Sequence, residues 1–90
     1  MEHKYNIDGY DSLEKLAEDI GDLRYDSLVE LFNLLSEKFR KDAIADAGRN
    51  RMQLSNSLNS IADGFTDLSG MMDKTWLICK KYMWWVSKNW

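Results

Sequence analysis

The sequence predicts an all-α protein, an antiparallel helical bundle of three to four helices, and three observations carry that expectation. No proline occurs in the chain, so the strongest helix breaker is absent. Apolar residues recur at steps of three and four through most of its length, which is the period of one helix face. Nowhere do they alternate strictly with polar residues, as a half-buried strand would require. Ninety residues bury one modest core, so the whole chain, 1–90, reads as a single helical domain.

Residues 1–9 read as an irregular N-terminal arm that ends in the turn pair Asp8-Gly9. Two similar stretches follow, YDSLEKL at 10–16 and YDSLVEL at 25–31. Two copies are too few, and their spacing too short, for a repeat architecture. They read instead as one helix-start solution used twice. Asp11 with Glu14, and Ser27 with Glu30, stand at capping-box spacing, where each pair would satisfy two amides that a helix start leaves unpaired.

The first helix is expected at 11–20, with Leu13, Leu16, Ile20 and Leu23 on one stripe and Gly21 ending it early. The second is expected at 26–47, with Leu28, Leu31, Phe32, Leu35 and Phe39 on one face. It would stop at Gly48, a residue able to take the left-handed conformation of a helix C-terminal cap. The third is the most regular: Leu54, Leu58, Ile61, Phe65, Leu68, Met72, Trp76, Cys79, Met83, Val86 and Trp90 follow one another by three or four. That is the period of a coiled-coil seam. Ser57, Ser60, Ala62 and Gly64 beside it are small enough to let a neighbouring helix come close. The expected span is 50–88, one very long helix or two helices divided near Ser69-Gly70. The unbroken phase favours continuity, although Gly64 and Gly70 would each cost about 1 kcal/mol relative to alanine.

Charge divides the chain. Residues 1–47 hold six Lys/Arg and twelve Asp/Glu, a balance of −6, whereas 48–90 hold six and three, a balance of +3. An acidic front and a basic, aromatic rear result. A lone cysteine and an N-terminus without a signal-peptide apolar core lead to a cytoplasmic expectation. The longest apolar-rich stretch, 76–86, is interrupted by Lys80 and Lys81 and falls short of the roughly 20 residues a membrane-spanning helix needs.

Catalytic chemistry is not expected, and no catalytic residue, cofactor site or metal site is assigned. His3 is the one histidine, and no Glu-x-x-His pair exists for a carboxylate-bridged di-metal centre. Asp11, Glu14, Glu18 and Asp22 form a helical stripe that reads as a solvated face. Cys79 has Lys80 and Lys81 beside it, but its place between Trp76 and Met83 on the seam reads as a structural thiol. The glycines are scattered singly, which excludes a phosphate-cradling loop. In the polar segment 40–51, Asp42, Asp46 and Arg49 read as helix-end ion pairs, with Arg49 and Arg51 a candidate polar contact for a partner.

The tail KYMWWVSKNW holds three of the four tryptophans. Lys74, Lys81 and Lys88 share one helix face there, and the apolar arc opposite is wider than a single core contact requires. The reading preferred from sequence is a non-enzymatic interaction or regulatory module that associates with itself as a homodimer, or with another protein, through this end. The interface residues assigned to it are Met72, Trp76, Met83, Trp84, Trp85 and Trp90. Two alternatives rank below it. One is a small acidic inhibitor or adaptor whose N-terminal half caps a basic partner. The other is attachment to a membrane surface by the amphipathic tail, opposed by the low positive charge. Nucleic acid is not expected as a partner, because the pI is near 5.0. Leu35, Phe39, Leu58, Ile61 and Phe65 are the expected core.

Overall fold

The computed structural model describes residues 3–82. Within them the protein is all-helical, with α1 (Leu13–Gly21), α2 (Tyr25–Gly48) and α3 (Met52–Lys80) in order and no strand. The arm before α1 turns at Asp8-Gly9, where Gly9 has φ +94°. Asn6 Nδ2 donates to the Tyr10 carbonyl at 2.9 Å across that turn.

The two YDSL stretches begin their helices differently. Before α1 the capping residue is Ser12, one position later than expected, and its Oγ accepts from the Lys15 amide at 3.2 Å. At the second copy α2 has already begun at Tyr25, so Ser27 lies inside the first turn and the expected Ser27–Glu30 box is not formed. Arg24 holds the cap position without a side-chain cap bond. Asp26 does the local work instead, accepting from the Ser27 amide at 2.9 Å and from Arg24 Nε at 3.0 Å. A carboxylate in the first turn also faces the positive end of the helix dipole.

α2 and α3 form an antiparallel hairpin, and three serine hydroxyls define how they meet. Ser69 Oγ donates to the Val29 carbonyl at 3.1 Å, Ser36 Oγ to the Ala62 carbonyl at 2.8 Å, and Ser55 Oγ to the Ala43 carbonyl at 2.7 Å. Each step of seven residues up α2 is matched by a step of seven down α3, as an antiparallel heptad pairing requires. Ser36, Ala43, Ser55, Ala62 and Ser69 are all buried, and Ala43 and Ala62 completely so. Backbones can approach this closely only where side chains are this small.

Larger side chains close the two edges of that narrow contact. Phe65 lies between Phe32 and Phe39, with ring centroids 6.2 and 5.6 Å away, the second pair nearly parallel. Leu28 is the one large apolar side chain that is buried among the described residues. Leu35, Phe39, Leu58 and Phe65 are half-buried as core residues, whereas Ile61 is 43% exposed and lies outside the contact. Leu54 and Leu68 of the expected seam are exposed as well. The contact face of α3 is therefore rotated from the most hydrophobic stripe toward Ser55, Ala62 and Ser69. Of the four small residues expected at the approach, only Ala62 is there; Ser57, Ser60 and Gly64 face outward.

The connection between the helices is built on Asp46. Its carbonyl accepts from the Arg49 amide at 3.1 Å and the Arg51 amide at 2.8 Å. Its buried carboxylate lies 3.8 Å from Arg49 Nη1 and 3.5 Å from Arg51 Nη1. The left-handed residue of the turn is Asn50, at φ 60°, and Gly48 is the last helical residue of α2. Asparagine tolerates this region better than other side-chain-bearing residues, and that preference moves the turn two residues past the expected glycine.

α3 is continuous through Ser69-Gly70, because Ser69 is held against α2. It stops at Lys80, short of the expected 88, and the Lys81 and Tyr82 amides close a turn on the Ile78 and Cys79 carbonyls. α1 is amphipathic, but none of its residues is buried. The outcome is a flat, elongated molecule of 54 × 30 × 14 Å with a radius of gyration of 16.5 Å. A compact domain of this length would have about 12 Å.

Candidate interaction surface

Two features of α3 stand out from the hairpin: the aromatic end around Trp76, and a long outer face that α2 does not touch. Trp76 is the aromatic residue of the expected interface that the structure places most clearly. It is half-buried at the open end of the hairpin, where antiparallel pairing brings it beside the start of α2. The Arg24 guanidinium lies 5.7 Å from its ring centre and Lys80 Nζ lies 5.4 Å away. Both distances are within cation–π range. Arg24 is held by Asp26, so an ion pair braces one cation against the indole. Hydrogen bonding to Arg24 holds the Asp26 carboxyl below its ordinary value, and the same pairing raises Arg24.

Met72 is half-buried one turn before Trp76. α2 thus reaches as far as Met72, and Trp76 is met by Arg24, the residue before α2. Met83, Trp84, Trp85 and Trp90 lie outside the described residues. Arg49 and Arg51 stand together at the opposite, closed end of the hairpin, where both guanidinium groups reach Asp46 and their side chains remain over half exposed. Met72 and Trp76 therefore lie at one end of the hairpin and Arg49 and Arg51 at the other, rather than in one site.

The outer face was not recognised from sequence. Ser57, Ile61, Gly64, Leu68, Met71, Thr75, Ile78 and Tyr82 follow one another by four and three, and all eight are exposed. None carries a charge. They form a second heptad seam, about 100° around the helix from the one that meets α2. A visible signal existed, since the spacing is as regular as that of the inner seam. It was hidden because its glycine, serine and threonine dilute the apolar pattern.

Polar groups on this face are partly satisfied from within. Thr75 Oγ1 donates to the Met71 carbonyl at 3.0 Å, so its hydroxyl can leave water without losing a partner. A Cβ added at Gly64 or Gly70 would meet nothing within 4 Å. Packing inside the hairpin does not require glycine at either position.

The total accessible surface is 7252 Å². A compact monomer of 10.6 kDa would expose about 5,500 Å². Large apolar side chains are among what is exposed, including Met71 at 63% and Tyr82 at 65%.

Among the described residues no three His, Cys, Asp or Glu side chains are grouped to hold a metal ion, and no helix is long and apolar enough to cross a membrane. A shallow groove near the closed end is lined by residues including His3, Phe39, Asp42, Asp46 and Leu54. It gathers no nucleophile with a base. No known family model matches this chain, and no curated protein or solved structure is significantly similar to it.

Proposed function

We propose that this chain is a non-enzymatic interaction module that associates with itself or with a partner protein through the open end of its hairpin and the basic, Trp-rich segment that follows. The observation that carries this reading is the braced indole of Trp76. A large aromatic ring is held half in water between Arg24 and Lys80, at the end where the helical pair opens. Amphipathic rings beside cations are the composition of interface anchors. The elongated shape supports the same reading, because a helical pair without a third covering layer leaves apolar surface for another chain. A helical bundle completed by association, rather than within one chain, follows from it.

The test is sedimentation over a wide concentration range, with the full chain, a chain lacking residues 86–90, and Trp76→Ala. The full chain is expected to associate, and both variants to associate more weakly while keeping their helicity. A full chain that stays monomeric throughout would refute the reading. Equal association by all three proteins would remove the aromatic end from it.

A further inference from the structure

We infer that the outer face of α3 is a self-recognition surface, and that two copies pair through it in antiparallel orientation to join two hairpins into a four-helix assembly. This goes beyond the association proposed above, because it uses a different surface, one that does not involve the tryptophans.

The seam is complementary to its own reverse. With the two-fold axis between Leu68 and Met71, an antiparallel second copy places Leu68 against Met71 and Gly64 against Thr75. Ile61 then meets Ile78, and Ser57 meets Tyr82. The small residues fall opposite larger ones, so the facing surfaces interlock instead of colliding. All eight residues are exposed in the single chain, and so are free to be covered.

Charge chooses the partner and the direction. Asp67 and Lys74 are exposed on one flank of the seam. In an antiparallel pair the Asp67 of each copy lies beside the Lys74 of the other, giving two opposite-charge contacts. A parallel pair would put Asp67 and Lys74 on opposite sides of the interface from their counterparts, facing Phe65, Met72 and Cys79, and would lose both contacts.

Five of the eight residues are large apolar side chains, 43% to 65% exposed. The seam runs about 38 Å from Ser57 to Tyr82, longer than many self-pairing helices need.

The experiment uses the full chain and its native cysteine. A nitroxide placed on Cys79 lies nine to ten residues from the proposed two-fold axis. Pulsed electron–electron spectroscopy should therefore give an interchain distance near 30 Å, against about 10–15 Å for a parallel pair. Leu68→Glu, at an exposed site that should not disturb the hairpin, should weaken dimerisation by roughly 100-fold with helicity retained. Asp67→Lys and Lys74→Asp should each weaken it about tenfold, and an equimolar mixture of the two should recover dimerisation as a heterodimer.

A short distance, or no recovery in the mixture, would overturn the antiparallel pairing. Dimerisation unaffected by Leu68→Glu but lost without residues 86–90 would overturn this inference and leave the aromatic end as the contact. The reverse result would support the outer seam and remove the tail from self-association.

Discussion

α3 carries the same heptad period on two faces, and the two faces have met opposite fates. The inner one is built on Ser55, Ala62 and Ser69, is covered by α2, and contains the hairpin's deepest burial. The outer one carries Ile61, Leu68, Met71, Ile78 and Tyr82, and stays in water. Hydrophobicity alone does not separate them, since the inner face also carries Leu58, Phe65, Met72 and Trp76. Closeness of approach decides instead: small residues let two backbones near each other, and serine hydroxyls convert that proximity into hydrogen bonds on the facing carbonyls. Phenylalanines flanking the close contact then add area without holding the helices apart.

Filling the inner face should produce the largest effect. Ala62→Leu or Ala43→Leu would force a side chain into a fully buried site between two backbones, and a loss of about 3 kcal/mol is expected in urea unfolding. The same leucine at Gly64, on the outer face, should not destabilise the hairpin. Equal losses at inner and outer positions would erase the distinction between the faces.

Next comes truncation of Leu28, the one large buried apolar residue among those described. Leu28→Ala should cost about 2–3 kcal/mol by the same measurement. Removing a single hydroxyl is a finer probe. Ser36→Ala, Ser55→Ala and Ser69→Ala should each cost about 1 kcal/mol. Of these Ser36 should be the most sensitive, since its Oγ also lies 2.9 Å from Thr66 Oγ1.

At the exposed glycines of α3 the sign reverses. Gly64→Ala and Gly70→Ala should each raise hairpin stability by about 0.5–1 kcal/mol, because the added methyl meets open space and glycine is costly inside a helix. Destabilisation by Gly64→Ala, on the outer face, would show that the face is already occupied.

The smallest effect concerns pH. Asp26 is held below its ordinary value near 3.8 by its hydrogen bond to Arg24, so the folded state favours its ionised form. Its contribution is therefore fully present above that ordinary value and disappears as the pH falls through the lowered one. Both partners are exposed, so the change is small. It should vanish in Asp26→Asn when thermal unfolding is followed from pH 5 to pH 2.

Much of the fold was legible because periodicity and the absence of proline act over long windows. The three helices, and the passage of α3 through Ser69-Gly70, follow from them. Finer features depended on a few atoms. Which of Asp11 and Ser12 caps α1 is a matter of one peptide unit. Gly48 advertises a left-handed turn, yet Asn50 makes it because the Asp46 carbonyl gathers the Arg49 and Arg51 amides. The face of α3 that meets α2 was misplaced by about half a helix quadrant, since a serine reads as polar until a carbonyl is placed opposite it. Ser36 and Ala43 answering Ser55 and Ala62 at the same heptad spacing was the sign of it. The aromatic end was legible as composition, but the cations around Trp76 come from two helices and meet only after folding.

The three serine clasps also fix how far along each other the two helices lie. In the native alignment every rung sets one hydroxyl-bearing residue against one that has none, and the donor alternates between strands of the hairpin. Sliding one heptad in one direction would drive the Trp76 indole onto Val29, where there is room only for a small side chain. A slide in either direction would also unwind the three-residue turn at Asn50. Alignment in this molecule is thus set like the wards of a key, by where bulk is missing, and a chain with the same greasy content but scrambled notches would have no unique way to close.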